Sequence, residues 1–239
     1  MNRCVSLSFF PRVSGAAAWL SLTTLAGCNL APHYHVPTSA AAPAAFKRDP
    51  GWVVAQPQDA VAKGEWWRLF TATWLHADIG HLASNVVFGF LFLGLAMARY
   101  GPGVGLLAAY LAGVGGNVAA GMVYDATMRG LGASGVVMGA LGLVSIQSLV
   151  LLKRRNSNTF RIFAGGIMGG LLLFVFLGVS PGTDVVAHLG GFVSGLLIGS
   201  PLAFAPRFTH RLRVNLGAGI LYLALVILPW WWALRRLGS

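Results

Sequence analysis

Four side chains hold the chemistry this sequence could do. His81 and Asn85 open one apolar stretch, Ser134 opens another inside Gly132-Ala133-Ser134-Gly135, and His188 opens a third. In hydrocarbon such groups are costly, and by default they mark a functional site. Glycine spacing says how two of them could meet. Gly191, Gly195 and Gly199 recur every four residues after His188, and Gly135 and Gly139 do the same after Ser134. Each helix would then present a face without side chains, the small-x-x-x-small pattern that lets two backbones approach closely. With Ser134 and His188 in the first turns of helices running the same way, that packing sets hydroxyl and imidazole at one level, within hydrogen-bonding reach. An imidazole so placed can take the hydroxyl proton and make the oxygen a nucleophile. Singly, each residue has a plainer reading: a serine bonded back to its own turn, a histidine bridging helices, an asparagine as polar glue, glycines used for packing alone. The glycines are assigned to packing, and the joint pattern of the others points to an active site inside a membrane.

The elements that must position these groups follow from composition. Of 239 residues, 56% are hydrophobic and 10% charged, against roughly 25% charged in ordinary globular domains. Six apolar runs, near 82–98, 103–123, 133–152, 162–179, 185–204 and 214–234, approach the ~20 residues a helix needs to span hydrocarbon. Backbone polar groups in a bilayer must be satisfied within the segment, so each run is expected to be helical. The predicted fold class is all-α, a polytopic membrane helix bundle with a loop-like N-terminal extension. The net charge of +11 could suggest nucleic acid, but its distribution says otherwise. Arg99 follows the first run, Lys153, Arg154, Arg155 and Arg161 follow the third, and Arg207, Arg211 and Arg213 follow the fifth. Basic loops face the cytoplasm, which puts the starts of the first, third and fifth runs, and so all four polar residues, near the outer face. Arg235 and Arg236 at the C-terminus depart mildly from the rule. Basic residues are not interleaved with base-stacking aromatics, so no nucleic-acid partner is expected. The partner implied is the lipid bilayer, in a multi-pass chain of the bacterial inner (cytoplasmic) membrane. No cofactor and no metal is implied, and two cysteines are too few for a disulfide framework.

The beginning of the chain reads differently. Arg3 and Arg12 precede a short apolar stretch from Val13 to Leu25 and then Leu25-Ala26-Gly27-Cys28, the form of a bacterial secretory signal. The ending resembles the lipobox of bacterial lipoproteins, which makes Cys28 a possible lipidation site. Residues 28–70 are Pro/Ala-rich and loop-like. Cys28-Asn29-Leu30-Ala31-Pro32-His33-Tyr34-His35-Val36-Pro37, with Gly51-Trp52 and Gly64-Glu65-Trp66-Trp67-Arg68-Leu69-Phe70, resembles the mature start of outer-membrane efflux lipoproteins. That likeness stops where the apolar runs begin and carries no channel function with it. The expected organisation is a signal-like segment over 1–27, an extracytoplasmic segment over 28–70, a membrane domain over 71–205 and an additional helix over 206–239, with a chimeric join near Trp67-Arg68-Leu69-Phe70.

From Glu65 onward the chain resembles the rhomboid family of intramembrane serine proteases. The matching pieces are Glu65-Trp66-Trp67-Arg68, His81-Leu82-Ala83-Ser84-Asn85, Gly132-Ala133-Ser134-Gly135 and Ala187-His188-Leu189-Gly190-Gly191, in that order. The resemblance implies that Ser134 is the nucleophile and His188 the general base, with His81, Asn85 and the Ser134 backbone N–H donating to the oxyanion. Glu65 and Arg68 hold the loop or sit in a solvated charge cluster. Every acidic residue lies in an outer loop, so a Ser-His dyad is expected and not a triad. The implied substrates are transmembrane helices with a locally unstable outer end. Two departures stand out. Met138, one turn after Ser134, occupies the place where rhomboids usually set an aromatic ring against the histidine. The family's first spanning helix is matched only by the short stretch Val13–Leu25, well under the ~20 residues needed. That second departure keeps an alternative open: a non-catalytic rhomboid-like protein that binds transmembrane clients. Trp230, Trp231 and Trp232 are expected to anchor the last helix at the interface.

Overall fold

The computed structural model describes residues 64–124, 130–147, 157–179 and 183–237. The signal-like segment, Cys28 and most of the lipoprotein-like stretch lie outside these residues. All regular structure among the described residues is helical: α1 (Arg68–Thr71) running into a 3-10 turn (Ala72–Trp74), α2 (Ile79–Tyr100), α3 (Pro102–Val123), α4 (Ser134–Ser145), α5 (Ser157–Gly178), α6 (Val185–Phe204), the short α7 (Pro206–Thr209) and α8 (Leu212–Leu237). Four of these, α2, α3, α6 and α8, are long and apolar enough to cross a membrane, while Ser134–Ser145 and Gly165–Val175 are shorter apolar helices.

The ends of these helices follow from local chemistry. Asp78, extended at φ −154°, accepts from the His81 N–H and starts α2, and Asp184 accepts from the Ala187 N–H and starts α6. Each carboxylate satisfies one of the orphan donors of a first turn. Gly101, at φ +87°, turns the chain between α2 and α3, and Pro102 opens the next helix at its first position, where a missing N–H costs nothing.

The core is centred on α4, whose residues from Gly135 to Leu143 are all buried. It packs against α2, α3, α5 and α6. Glycines make this possible. A side chain on Gly191 would collide with the Gly135 carbonyl, one on Gly195 with the Gly139 carbonyl, and one on Gly142 with the Phe192 carbonyl. Gly199 rests against Ile146 and Leu143 one turn further in. Gly139 also meets Ala112 of α3, so α4 is closed in on two sides by residues with almost no side chain. The last helix, α8, lies against α3 and α1. Trp231 and Trp232 are exposed, as an interfacial anchor requires, but Trp230 turns inward onto Trp67, Leu75 and Ala233.

Candidate active site

The starts of α2, α4 and α6 come together at one end of the bundle. His81 is the third residue of α2, and Asn85 follows one turn later on the same face. Asn85 is 9% exposed, and its Nδ2 is buried without a hydrogen-bond partner among the described residues. A donor in that state costs about 1–3 kcal/mol.

The chain entering α4 runs directly past these two side chains. Gly132 has φ +118°, and a Cβ there would stand 2.6 Å from His81 Nε2 and 3.5 Å from Asn85 Nδ2. Both the backbone conformation and the space therefore demand glycine. Two hydrogen bonds hold this loop: the Gly132 N–H donates to the Ala72 carbonyl at 2.9 Å, and the Ala133 N–H donates to His76 Nε2 at 3.4 Å. Ser134 follows as the first residue of α4, where backbone N–H groups have no intrahelical acceptor and the helix dipole presents its positive end.

His188 lies in the first turn of α6 and is 4% exposed. Its Nδ1 stands 2.8 Å from the Gly178 carbonyl at the end of α5. A carbonyl can only accept, so Nδ1 carries a proton, and in the neutral ring the lone pair falls on Nε2. Because Gly191 and Gly135 touch backbone to backbone, the first turns of α4 and α6 adjoin. Ser134 and His188 thus lie in adjoining turns, but among the described residues no direct hydrogen bond joins the hydroxyl to the ring. Met138 is buried in the core cluster.

Below the loop lies a cavity of about 60 Å³ lined by Asn85, Ala133, His76, Trp74, Tyr110 and Tyr222, among others. The segment before α2 forms its outer rim. Arg68 pairs with Glu65 at 2.7 Å, the Asn117 amide donates to the Leu69 carbonyl at 2.7 Å, and the Trp74 indole donates to the Tyr110 hydroxyl at 3.3 Å.

Several of these residues escape a reading of the sequence. His76 is the chief one: its ring meets the His81 ring edge-on at 5.1 Å. Burial, aided by the neighbouring His81, pushes its pKa down to about 4 against the lifting effects of the Trp74 backbone and Asp78. The available signal was a second histidine five residues before His81. Asp78 and Asp184 are the helix caps, and an acidic residue just ahead of an apolar run is a recognised start signal. Asn117 and Tyr110 gave none, because their partners lie 48 and 40 residues away in the sequence.

A bundle of membrane-length helices with hydroxyl, imidazole and amide gathered at one end defines a multi-pass membrane protein with an intramembrane polar site. The Rhomboid domain model matches residues 63–205, and the chain belongs to the rhomboid family. It is 32% identical over 159 residues to RHOMBOID-like protein 1 of Arabidopsis thaliana, covering 63% of this chain and 38% of that protein. With Rhomboid protease GluP of Bacillus subtilis it shares 32% over 181 residues, 72% of this chain and 34% of GluP. Rhomboid-like protease 3 of Toxoplasma gondii is 31% identical over 133 residues, 55% of this chain and 50% of that protein. In these three comparisons the match spans between a third and a half of the relative's length.

Proposed function

We propose that this protein is an intramembrane serine endopeptidase that cleaves transmembrane segments through a Ser134–His188 dyad. The observation that carries the reading is the buried Asn85 amide, whose Nδ2 donor has no acceptor among the described residues and lies beside the backbone that leads into Ser134. A substrate oxyanion is the acceptor that would complete it. Two of the similar proteins are named as proteases, GluP and the Toxoplasma protein.

In the first half-reaction His188 Nε2 takes the Ser134 hydroxyl proton as Oγ adds to the scissile carbonyl carbon. The carbonyl oxygen becomes the anion, and the Asn85 amide, the His81 ring and the Ser134 N–H donate to it. Collapse breaks the C–N bond; the departing amine takes the proton from His188, and an ester remains on Ser134. Water then gives a proton to His188 and adds to the ester carbonyl. Collapse of this second intermediate returns the proton to Oγ and releases the new carboxyl terminus. The Gly178 carbonyl fills the place of a third acid by fixing the tautomer of His188. A regular helix shields its own peptide bonds, so the substrate is a transmembrane helix that unwinds readily near its outer end. In this reading the site lies beneath the outer face of a bacterial cytoplasmic membrane, an orientation that the basic loops support.

Purified protein in detergent should label with a fluorophosphonate, and Ser134→Ala should abolish the labelling. Well-folded protein that does not label would instead support the non-catalytic reading, in which the same cleft holds transmembrane clients without cutting them.

A further inference from the structure

The matched domain ends at residue 205, yet the site is walled by a helix that begins at Leu212. Tyr222 of α8 lines the same cavity as Asn85 and Ala133. Its ring meets Tyr110 edge-to-face at 5.3 Å. The Tyr110 hydroxyl, which accepts from Trp74, stands 3.3 Å from the Phe70 carbonyl and 3.5 Å from the Leu225 carbonyl. The last of these has a cause in the sequence. Pro229 sits inside α8 and has no N–H, so Leu225 lacks its helical donor, and the Tyr110 hydroxyl, whose single proton is shared between the Phe70 and Leu225 carbonyls, reaches the freed oxygen.

Two more contacts fasten α8 above and below this point. At the outer end Trp230 and Ala233 pack with Trp67, Leu75 and Leu131, the last directly preceding Gly132. At the inner end Asn215 Oδ1 accepts from the N–H groups of Gly103 at 3.0 Å and Val104 at 3.2 Å, two of the orphan donors of the first turn of α3. Its amide donates back to the Thr209 carbonyl. An anchor that only held the chain in lipid would need none of these pins.

We propose that α8 is a working wall of the active site, with Tyr222 and Trp230 as positioning residues that hold the Trp67–His76 segment and the Leu131–Ala133 loop in register with Asn85. The chain of contact is short. Trp230 and Leu131 pack against one buried cluster of Trp67, Leu75 and Ala233; Tyr222 supports Tyr110, which holds Phe70 and Trp74; the segment so held supplies the Ala72 carbonyl and the His76 ring that bind the Gly132 and Ala133 N–H groups. Where α8 moves, the backbone that presents Ser134 moves with it. As an account of catalysis this rests on the protease reading; as an account of loop order it does not.

The test uses the full chain in detergent, with Tyr222→Ala and Trp230→Ala, and Trp232→Ala at an exposed position of the same helix as control. Well below their melting temperatures, the first two should label at Ser134 at least ten-fold more slowly than the parent. On a transmembrane peptide, kcat should fall with KM within about two-fold. Tyr222→Phe, which keeps the ring, should restore most of the Tyr222→Ala loss. Hydrogen exchange supplies a readout free of activity: protection over 130–134 should drop in Trp230→Ala and stay at the parent level in Trp232→Ala. Parent-like labelling in the folded alanine variants overturns the proposal, as does unchanged protection over 130–134 even if the parent protein proves inert. Failure of the parent alone to label, with protection lost in Trp230→Ala, sinks the protease reading and leaves the role of α8 standing.

Discussion

Asn85 is the residue whose energetics argue hardest for a function. Its Nδ2 is buried and unpaired, a state that costs about 1–3 kcal/mol and that an apolar side chain of similar size would relieve. Replacing it should therefore separate stability from activity. Asn85→Leu is expected to keep or raise the melting temperature in detergent while kcat falls about 10²- to 10³-fold, the usual loss of one oxyanion donor. A parallel fall in melting temperature and activity would make Asn85 an ordinary packing residue. The amide was conspicuous in the sequence because nothing else so polar interrupts that stretch; its lack of a partner was not, since an unpaired donor exists only once every neighbour is placed. His76 was missed for the complementary reason. It sits in a short loop, where a histidine is unremarkable until the Ala133 N–H is seen to reach its ring.

Between α4 and α6 the glycine spacing that the sequence displayed is the mechanism of assembly. Gly195 shows its limits most sharply, because an added Cβ would meet the backbone of Gly139 and no flexible side chain could yield. Overpacking of this kind costs about 1–3 kcal/mol. Gly195→Ala should lower the melting temperature and slow fluorophosphonate labelling, since the first turns of the two helices must part. Gly94→Ala in α2, with nothing within 4 Å of the new carbon, should leave both at the parent level. Equal behaviour of the two variants would mean that the close approach of α4 and α6 is dispensable. The apolar run over 133–152 predicts a spanning helix; α4 covers Ser134–Ser145, and 148–152 lie outside the described residues. Hydropathy records burial in protein and burial in lipid alike, and α4 is enclosed by other helices. The same ambiguity hides the contacts of α8, whose run of apolar residues shows a helix without saying that Tyr222 lines the cavity or that Trp230 packs against Trp67 and Leu75.

At the scale of the whole molecule, the segment from Glu65 to Asp78 acts as a strap tied to α3, to α8 and to the loop before α4, and its state depends on pH through His76. That ring is neutral in the folded protein down to about pH 4, against 6.5 when free. The sign follows from proton counting. Above about pH 6.5 neither state binds the proton and His76 adds no pH dependence. As pH falls from there toward about 4, the unfolded chain takes up a proton that the folded chain refuses, so stability falls. Below about 4 both forms are protonated, and the Ala133 N–H has lost its acceptor. Thermal melts in detergent should show the parent losing stability across that window, with His76→Gln losing less, because glutamine does not titrate and its amide oxygen can still accept from Ala133. The difference between the two curves isolates His76 from Asp78 and His81, which both chains share. Superimposable curves between pH 4 and 7 would mean that the strap does not transmit the charge of this ring to the fold, and that the loop presenting Ser134 is held by the Gly132–Ala72 bond alone.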